Sequence, residues 1–64
     1  MIRVNGDDAT YVRQSVAELL ASRGIEVRGV AVALNGEVVS RSLWSSTMIE
    51  DGAAVEIVTA VAGG

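Results

Sequence analysis

Hydrophobic positions along this chain fall into short alternating runs broken by turn residues, with one stretch at helical spacing. Ile2 and Val4 flank the polar Arg3, which is the period of a half-buried strand. Asn5-Gly6-Asp7-Asp8 follows as a turn. Ala9 to Arg13 contains Thr10, Tyr11 and Val12, all good strand formers, so the first two segments read as a hairpin. The pattern leaves open which face of that second strand points inward. Ser15-Val16-Ala17-Glu18 has the form of a capping box. The Ser hydroxyl accepts from the backbone N–H of the Glu, and the Glu carboxylate reaches back to the N–H of the Ser. Val16, Leu19, Leu20 and Arg23 then recur at helical spacing. The apolar stripe is Val16, Leu19 and Leu20, widened by Ala17 and Ala21, and Gly24 ends the helix as its C′ residue.

Val30 to Leu34 is a continuous apolar run between Gly29 and Asn35-Gly36, a strong two-residue hairpin signal. Its residues are large on one parity (Val30, Val32, Leu34) and small on the other (Ala31, Ala33). The large ones are expected to pack on the helix. Glu37, Val38 and Val39 begin the return strand. Ser42 to Thr47 is polar around Trp44 and reads as a short helical turn, and Glu50-Asp51-Gly52 as another turn. Ala54 to Val58 is the last strand, with Val55 and Ile57 on one face, and 59–64 is a small-residue tail. Strands interrupted by one amphipathic helix predict a single α+β domain over residues 1–64, with the helix laid across one sheet face. In so small a domain the final strand must be central to be well held, so it is expected to pair in parallel with the first. That is a mixed, five-stranded β-grasp sheet.

Composition narrows the chemistry. Among 64 residues there is no cysteine, hence no disulfide or thiolate chemistry, and no histidine, the usual general base and metal ligand. No metal site is expected. A P-loop needs a lysine, and this chain has none; a Ser-His-Asp arrangement lacks its base. The acid pairs Asp7-Asp8 and Glu50-Asp51 sit in turn-like sequence beside Gly, where Asp bonds locally. The net charge of −3, five dispersed arginines and only Tyr11 and Trp44 as aromatics argue against nucleic acid. No run approaches the ~20 apolar residues of a membrane span, and Met1 to Gly6 breaks too early for a signal peptide. A soluble, cytoplasmic protein that is not itself an enzyme is the expectation.

The pair Gly63-Gly64 carries the remaining chemistry. Without side chains these residues enter a channel as narrow as a backbone and adopt conformations closed to others. A carboxylate is a poor electrophile until ATP converts it to an acyl adenylate. The same glycines are also what an ordinary fraying chain end contains. The absence of lysine has two readings as well. It is a compositional bias, or it denies an activated tail an internal side-chain amine. The sheet adds a docking candidate: Ala31, Ala33 and Val58 are expected on the face away from the helix, and Val61 lies in the tail.

Order and spacing together give a resemblance over essentially the full length. Ser15-Val16-Ala17-Glu18-Leu19-Leu20, the hairpin from Val32 to Val39, Arg41-Ser42-Leu43-Trp44, and Asp51-Gly52 followed by Val55 to Gly64 resemble the sulfur carrier proteins of thiamin biosynthesis, a ubiquitin-like β-grasp family. Ser40 departs from the family, which often has Pro before the Arg; a looser loop is expected there. The resemblance implies that Gly64 is adenylated by an E1-like adenylyltransferase using ATP, with no cofactor bound to the carrier. Sulfur from a cysteine desulfurase relay then converts the carboxylate to a thiocarboxylate, which supplies a thiazole synthase. Gly63 is implied as required for activation. A carrier for another pathway, such as the small subunit of molybdopterin synthase, a ubiquitin-like modifier joined to target lysines, and a plain binding module are the competing readings.

Overall fold

The computed structural model describes residues 1–59. The elements are β1 (Ile2–Val4), β2 (Asp7–Ala9), β3 (Gln14–Ser15), α1 (Val16–Ser22), β4 (Val30–Leu34), β5 (Glu37–Val39), a 3₁₀ turn (Arg41–Leu43), β6 (Met48–Ile49) and β7 (Ala54–Thr59). Five of the strands form one sheet in the order β2-β1-β7-β4-β5, and β3 pairs with β6 in a second, two-stranded ladder. β7 is central. It runs parallel to β1 and antiparallel to β4, so the sheet is mixed, as the α+β β-grasp reading expects. Among the described residues no helix is long and apolar enough to cross a membrane.

The helix begins and ends as its sequence dictates. Ser15 Oγ accepts from the Glu18 N–H at 3.1 Å, and the Ser15 N–H donates to Glu18 Oε1 at 2.8 Å. Two more N–H groups of the first turn donate to carbonyls of the segment between β5 and β6, Val16 to Thr47 at 2.9 Å and Ala17 to Trp44 at 3.0 Å. At the other end Gly24 takes φ +67°. The Gly24 N–H donates to Ala21 C=O and the Ile25 N–H to Leu20 C=O, the paired bonds of a Schellman motif.

Val16, Leu19 and Leu20 from the helix meet Ile2, Val4, Val30, Val32 and Val55 from one sheet face, all buried. Leu34 and Ile57 are half-buried against the same core. The parity read along Val30 to Leu34 is therefore the observed one, and Ala31 is exposed on the other face. Trp44 is buried too, at 4% exposure, and its Nε1–H donates to Val39 C=O at 2.8 Å. The Arg41 guanidinium lies 5.7 Å from the centre of its ring and donates to Val27 C=O at 3.1 Å, tying the segment after the helix to the 3₁₀ turn.

Three boundaries differ from the sequence reading. The first hairpin turns on Asn5 and Gly6 alone, at φ +51° and +86°, which sets Val4 opposite Asp7 and Ile2 opposite Ala9. The second strand is thus Asp7–Ala9, not Ala9 to Arg13. A two-residue turn fixes the register immediately after it, and this outweighs the strand propensity of Thr10, Tyr11 and Val12. The last strand continues to Thr59, which faces Val30 across the β4–β7 ladder, so five residues rather than six follow it. The predicted helical turn around Trp44 starts at Arg41, earlier than Ser42, and is 3₁₀.

Ser40, where the resembled family often carries Pro, has φ −60° and ψ 142°. Those angles already suit a proline ring. Ser40→Pro is expected to stabilise the domain by about 0.4–1 kcal/mol through the unfolded chain, read as a thermal midpoint higher by a few degrees. A lower midpoint means that the loop needs the Ser40 N–H.

Candidate functional site

The candidate site is the C-terminal end of β7 together with the sheet face that flanks it. Gly63, Gly64 and Val61 lie outside the described residues. The described residues do show what leads to them. β7 occupies the middle of the sheet, gripped by β1 on one edge and by β4 on the other. Thr59, its last residue, is still in register with Val30. The chain therefore leaves the body from a fixed strand, and five residues, fully extended, reach at most about 17 Å.

Both ends of β7 are also held by asparagine side chains. The Asn35 main-chain N–H donates to Ala54 C=O at 2.8 Å, and its side-chain Oδ1 accepts from the Ala54 N–H at 2.9 Å. Asn5 Oδ1 accepts from the Ile57 N–H at 2.7 Å, and Nδ2 donates to Ile57 C=O at 3.2 Å. Each is the first residue of an Asn-Gly turn, and each has φ +51°. Sequence reasoning assigned both only to turns. The signal it lacked is tertiary: which strand lies beside the turn.

The sheet face away from the helix gathers the small apolar residues that the sequence reading picked out. Ala31 stands opposite Val58, and Ala33 is flanked by Glu56 on β7 and Val38 on β5. Val58 is 62% exposed and Val38 79%. Val38 was not singled out from sequence, although the tight Asn35-Gly36 hairpin places it beside Ala33 and hence on the same face. Toward β2 the face turns charged, with Arg3 Nε 3.6 Å from Asp8 Oδ1 across the ladder. A shallow hollow lined by Met1, Arg3, Asp8 and Ala54 opens there, and its two charges already face each other.

Electrostatics at this end of the molecule is a surface matter. The hydrogen bond from the Met1 α-ammonium, at 2.6 Å, holds the Asp51 carboxyl below its ordinary range. That stabilisation is present above the ordinary Asp range and is lost as the pH falls through the lowered value. Both partners are largely exposed, at 68% and 62%, so solvent screens the pair and its contribution is small.

The model of the ThiS family matches residues 2–64. The chain belongs to the ThiS family. A curated relative, the sulfur carrier protein ThiS of Thermus thermophilus, is 33% identical over 64 residues, covering all of both chains. A thiazole synthase of Paramagnetospirillum magneticum is 34% identical over 62 residues, which is 95% of this chain but only 19% of that protein. The crystal structure of the thiamine biosynthesis protein ThiS from Geobacter metallireducens superposes with a TM-score of 0.86 at 36% identity, covering 98% of this chain and 97% of that one. Its solution structure gives a TM-score of 0.80 at the same 36% identity. The ThiS fold is thus the fold of this chain, and the resemblance read from the capping box, the Asn35-Gly36 hairpin, Arg41-Ser42-Leu43-Trp44 and the ending is a family relationship.

Proposed function

We propose that this chain is a sulfur carrier for thiazole formation in thiamin biosynthesis, with the Gly64 carboxylate as the group that carries sulfur. The observation that supports it most is the end-to-end match with the Thermus thermophilus sulfur carrier protein, in which both chains are covered completely. The geometry agrees. A rigid central strand presents its C-terminal end at the edge of the body, and the sequence beyond it is Ala60-Val61-Ala62-Gly63-Gly64, without a bulky or charged side chain.

The chemistry runs in two steps. A Gly64 carboxylate oxygen attacks the α-phosphorus of ATP held by an E1-like adenylyltransferase. The bond to pyrophosphate breaks, leaving an acyl adenylate. A sulfur nucleophile then attacks the carbonyl carbon and AMP leaves. When the donor is a persulfide, as from a cysteine desulfurase relay, a thiol reduces the resulting S–S bond and frees the thiocarboxylate. That anion is a soft nucleophile held covalently on a protein, so sulfide is not lost to solvent. The carrier contributes the reacting carboxylate and its presentation; the partner enzymes supply the catalytic groups. Ala31, Ala33, Val38 and Val58 form the docking face in this reading, with Val61 entering the partner beside the glycines.

Thiazole synthase is the proposed recipient. A protein of that name contains a segment similar to 95% of this chain, which supports the pairing. Reconstitution tests the pathway. The thiocarboxylate form, given a thiazole synthase and its small-molecule substrates, is expected to yield thiazole with loss of the sulfur. Sulfur transfer only to a molybdopterin precursor, or branched peptides on lysines of other proteins, contradicts the proposal.

A further inference from the structure

β7 outruns its parallel neighbour. The β1–β7 register ends with Val4 opposite Val55, and the Asn5 N–H donates to Val55 C=O at 2.8 Å. Beyond that bond the chain turns away through Asn5 and Gly6, both at positive φ. The next rung of the ladder belongs to the Ile57 N–H and C=O. The Asn5 side chain fills it, accepting at 2.7 Å through Oδ1 and donating at 3.2 Å through Nδ2. A primary amide carries the same donor and acceptor as a peptide group, so one side chain extends the ladder where the backbone has left.

We propose that Asn5 is a positioning residue for the chemistry at Gly64, fixing the direction in which the C-terminal segment leaves the sheet. This rests on the carrier reading above. On the β4 edge, β7 is in register as far as Thr59. On the β1 edge, backbone contact stops at Val55 and the Asn5 amide carries it to Ile57. Without that amide the strand is held from Ile57 onward by β4 alone. A strand held on one edge can pivot about it, and a pivot at Ile57 changes the direction of the chain at Thr59, from which the sequence runs on to Gly64. A reacting carbon misplaced by about 1 Å reacts about a hundredfold more slowly.

Asn35 supplies the comparison. It has the same turn type and the same φ of +51°, and its Oδ1 holds the Ala54 N–H at 2.9 Å, at the other end of the same strand. Asn5→Gly and Asn35→Gly both keep the left-handed turn at no steric cost, and each removes a side-chain rung from β7. Only the first lies on the side that leads to Gly64.

The test measures kcat and KM for each chain in ATP-dependent pyrophosphate release by a purified carrier-activating adenylyltransferase. Amide exchange at Ile57, followed by NMR, and a thermal melt accompany it. In Asn5→Gly the Ile57 amide is expected to exchange about tenfold faster and kcat to fall about tenfold, with KM at the wild-type value because the docking face is unchanged. In Asn35→Gly kcat is expected to match the wild type whatever the melt shows. Wild-type kcat in Asn5→Gly, or an equal loss in Asn35→Gly, overturns the role of Asn5 alone. A wild-type chain that releases no pyrophosphate overturns the carrier reading and this inference with it.

Discussion

Removing Gly64 is expected to lower the rate of ATP-dependent activation at least a hundredfold and to leave the melting curve unchanged. The two halves of that result have separate causes. Among the described residues every buried core side chain lies between Ile2 and Val55, and chain ends in general contribute little to the folded state. The chemistry, by contrast, tolerates almost no displacement. Deleting one residue withdraws the carboxylate by about 3.3 Å, whereas a misplacement of about 1 Å already costs about a hundredfold. Gly63→Val is expected to act in the same direction by a different route. It keeps the length but adds a branched side chain where the entry channel must pass backbone, and it closes off part of the φ/ψ range. Pyrophosphate release reads the activity and a thermal melt reads the fold. Normal turnover by the Gly64 deletion contradicts the proposed carrier chemistry.

Leu20→Ala is expected to do the reverse, removing the fold and with it everything else. Leu20 is among the largest fully buried side chains and lies on the buried helix stripe with Val16 and Leu19. Truncating such a leucine costs about 2–5 kcal/mol. A chain of this size has about 3–10 kcal/mol of total stability at ~0.05–0.15 kcal/mol per residue. The variant is therefore expected to be largely unfolded or to melt tens of degrees lower, at ~4–8 °C per kcal/mol. Val38→Ala, on the exposed face of β5, is expected to melt within about 4 °C of the parent, since surface changes usually cost less than about 0.5 kcal/mol. Equal melting curves for Leu20→Ala and the parent contradict the helix placement on which the fold rests.

Features written in local chemistry were legible in the sequence. The capping box at Ser15, the C′ glycine at Gly24 and the Asn35-Gly36 hairpin each need only residues within a few positions of one another, and each forms as read. The central place of β7 was legible for a different reason, since a small domain holds a strand best when both of its edges are paired. Features set by distant partners were not legible. β3 and β6 are two residues each and pair across more than thirty positions, too short for any period to reveal them. The second strand was misplaced because Thr10-Tyr11-Val12 has the composition of a strand, while the turn at Asn5-Gly6 decides where the strand is. The roles of Asn5 and Asn35 against β7 depend on what folds beside them.

The sheet face proposed for docking was half legible. Parity placed Ala31, Ala33 and Val58 together, and the ladder adds Val38, which is more exposed than Val58. The chemistry at Gly64 is of another kind. It rests on the residue types from Ala60 to Gly64 and on the family relationship, and intact mass measures it directly.

That measurement is the intact mass of the chain after incubation with the carrier-activating adenylyltransferase, ATP and a cysteine-derived sulfur donor with a thiol reductant. The account predicts a mass gain equal to one sulfur replacing one oxygen, dependent on ATP, located at Gly64 by fragmentation and absent from the Gly64 deletion. An unchanged mass with active partner enzymes, or the same gain located on any other residue, contradicts it.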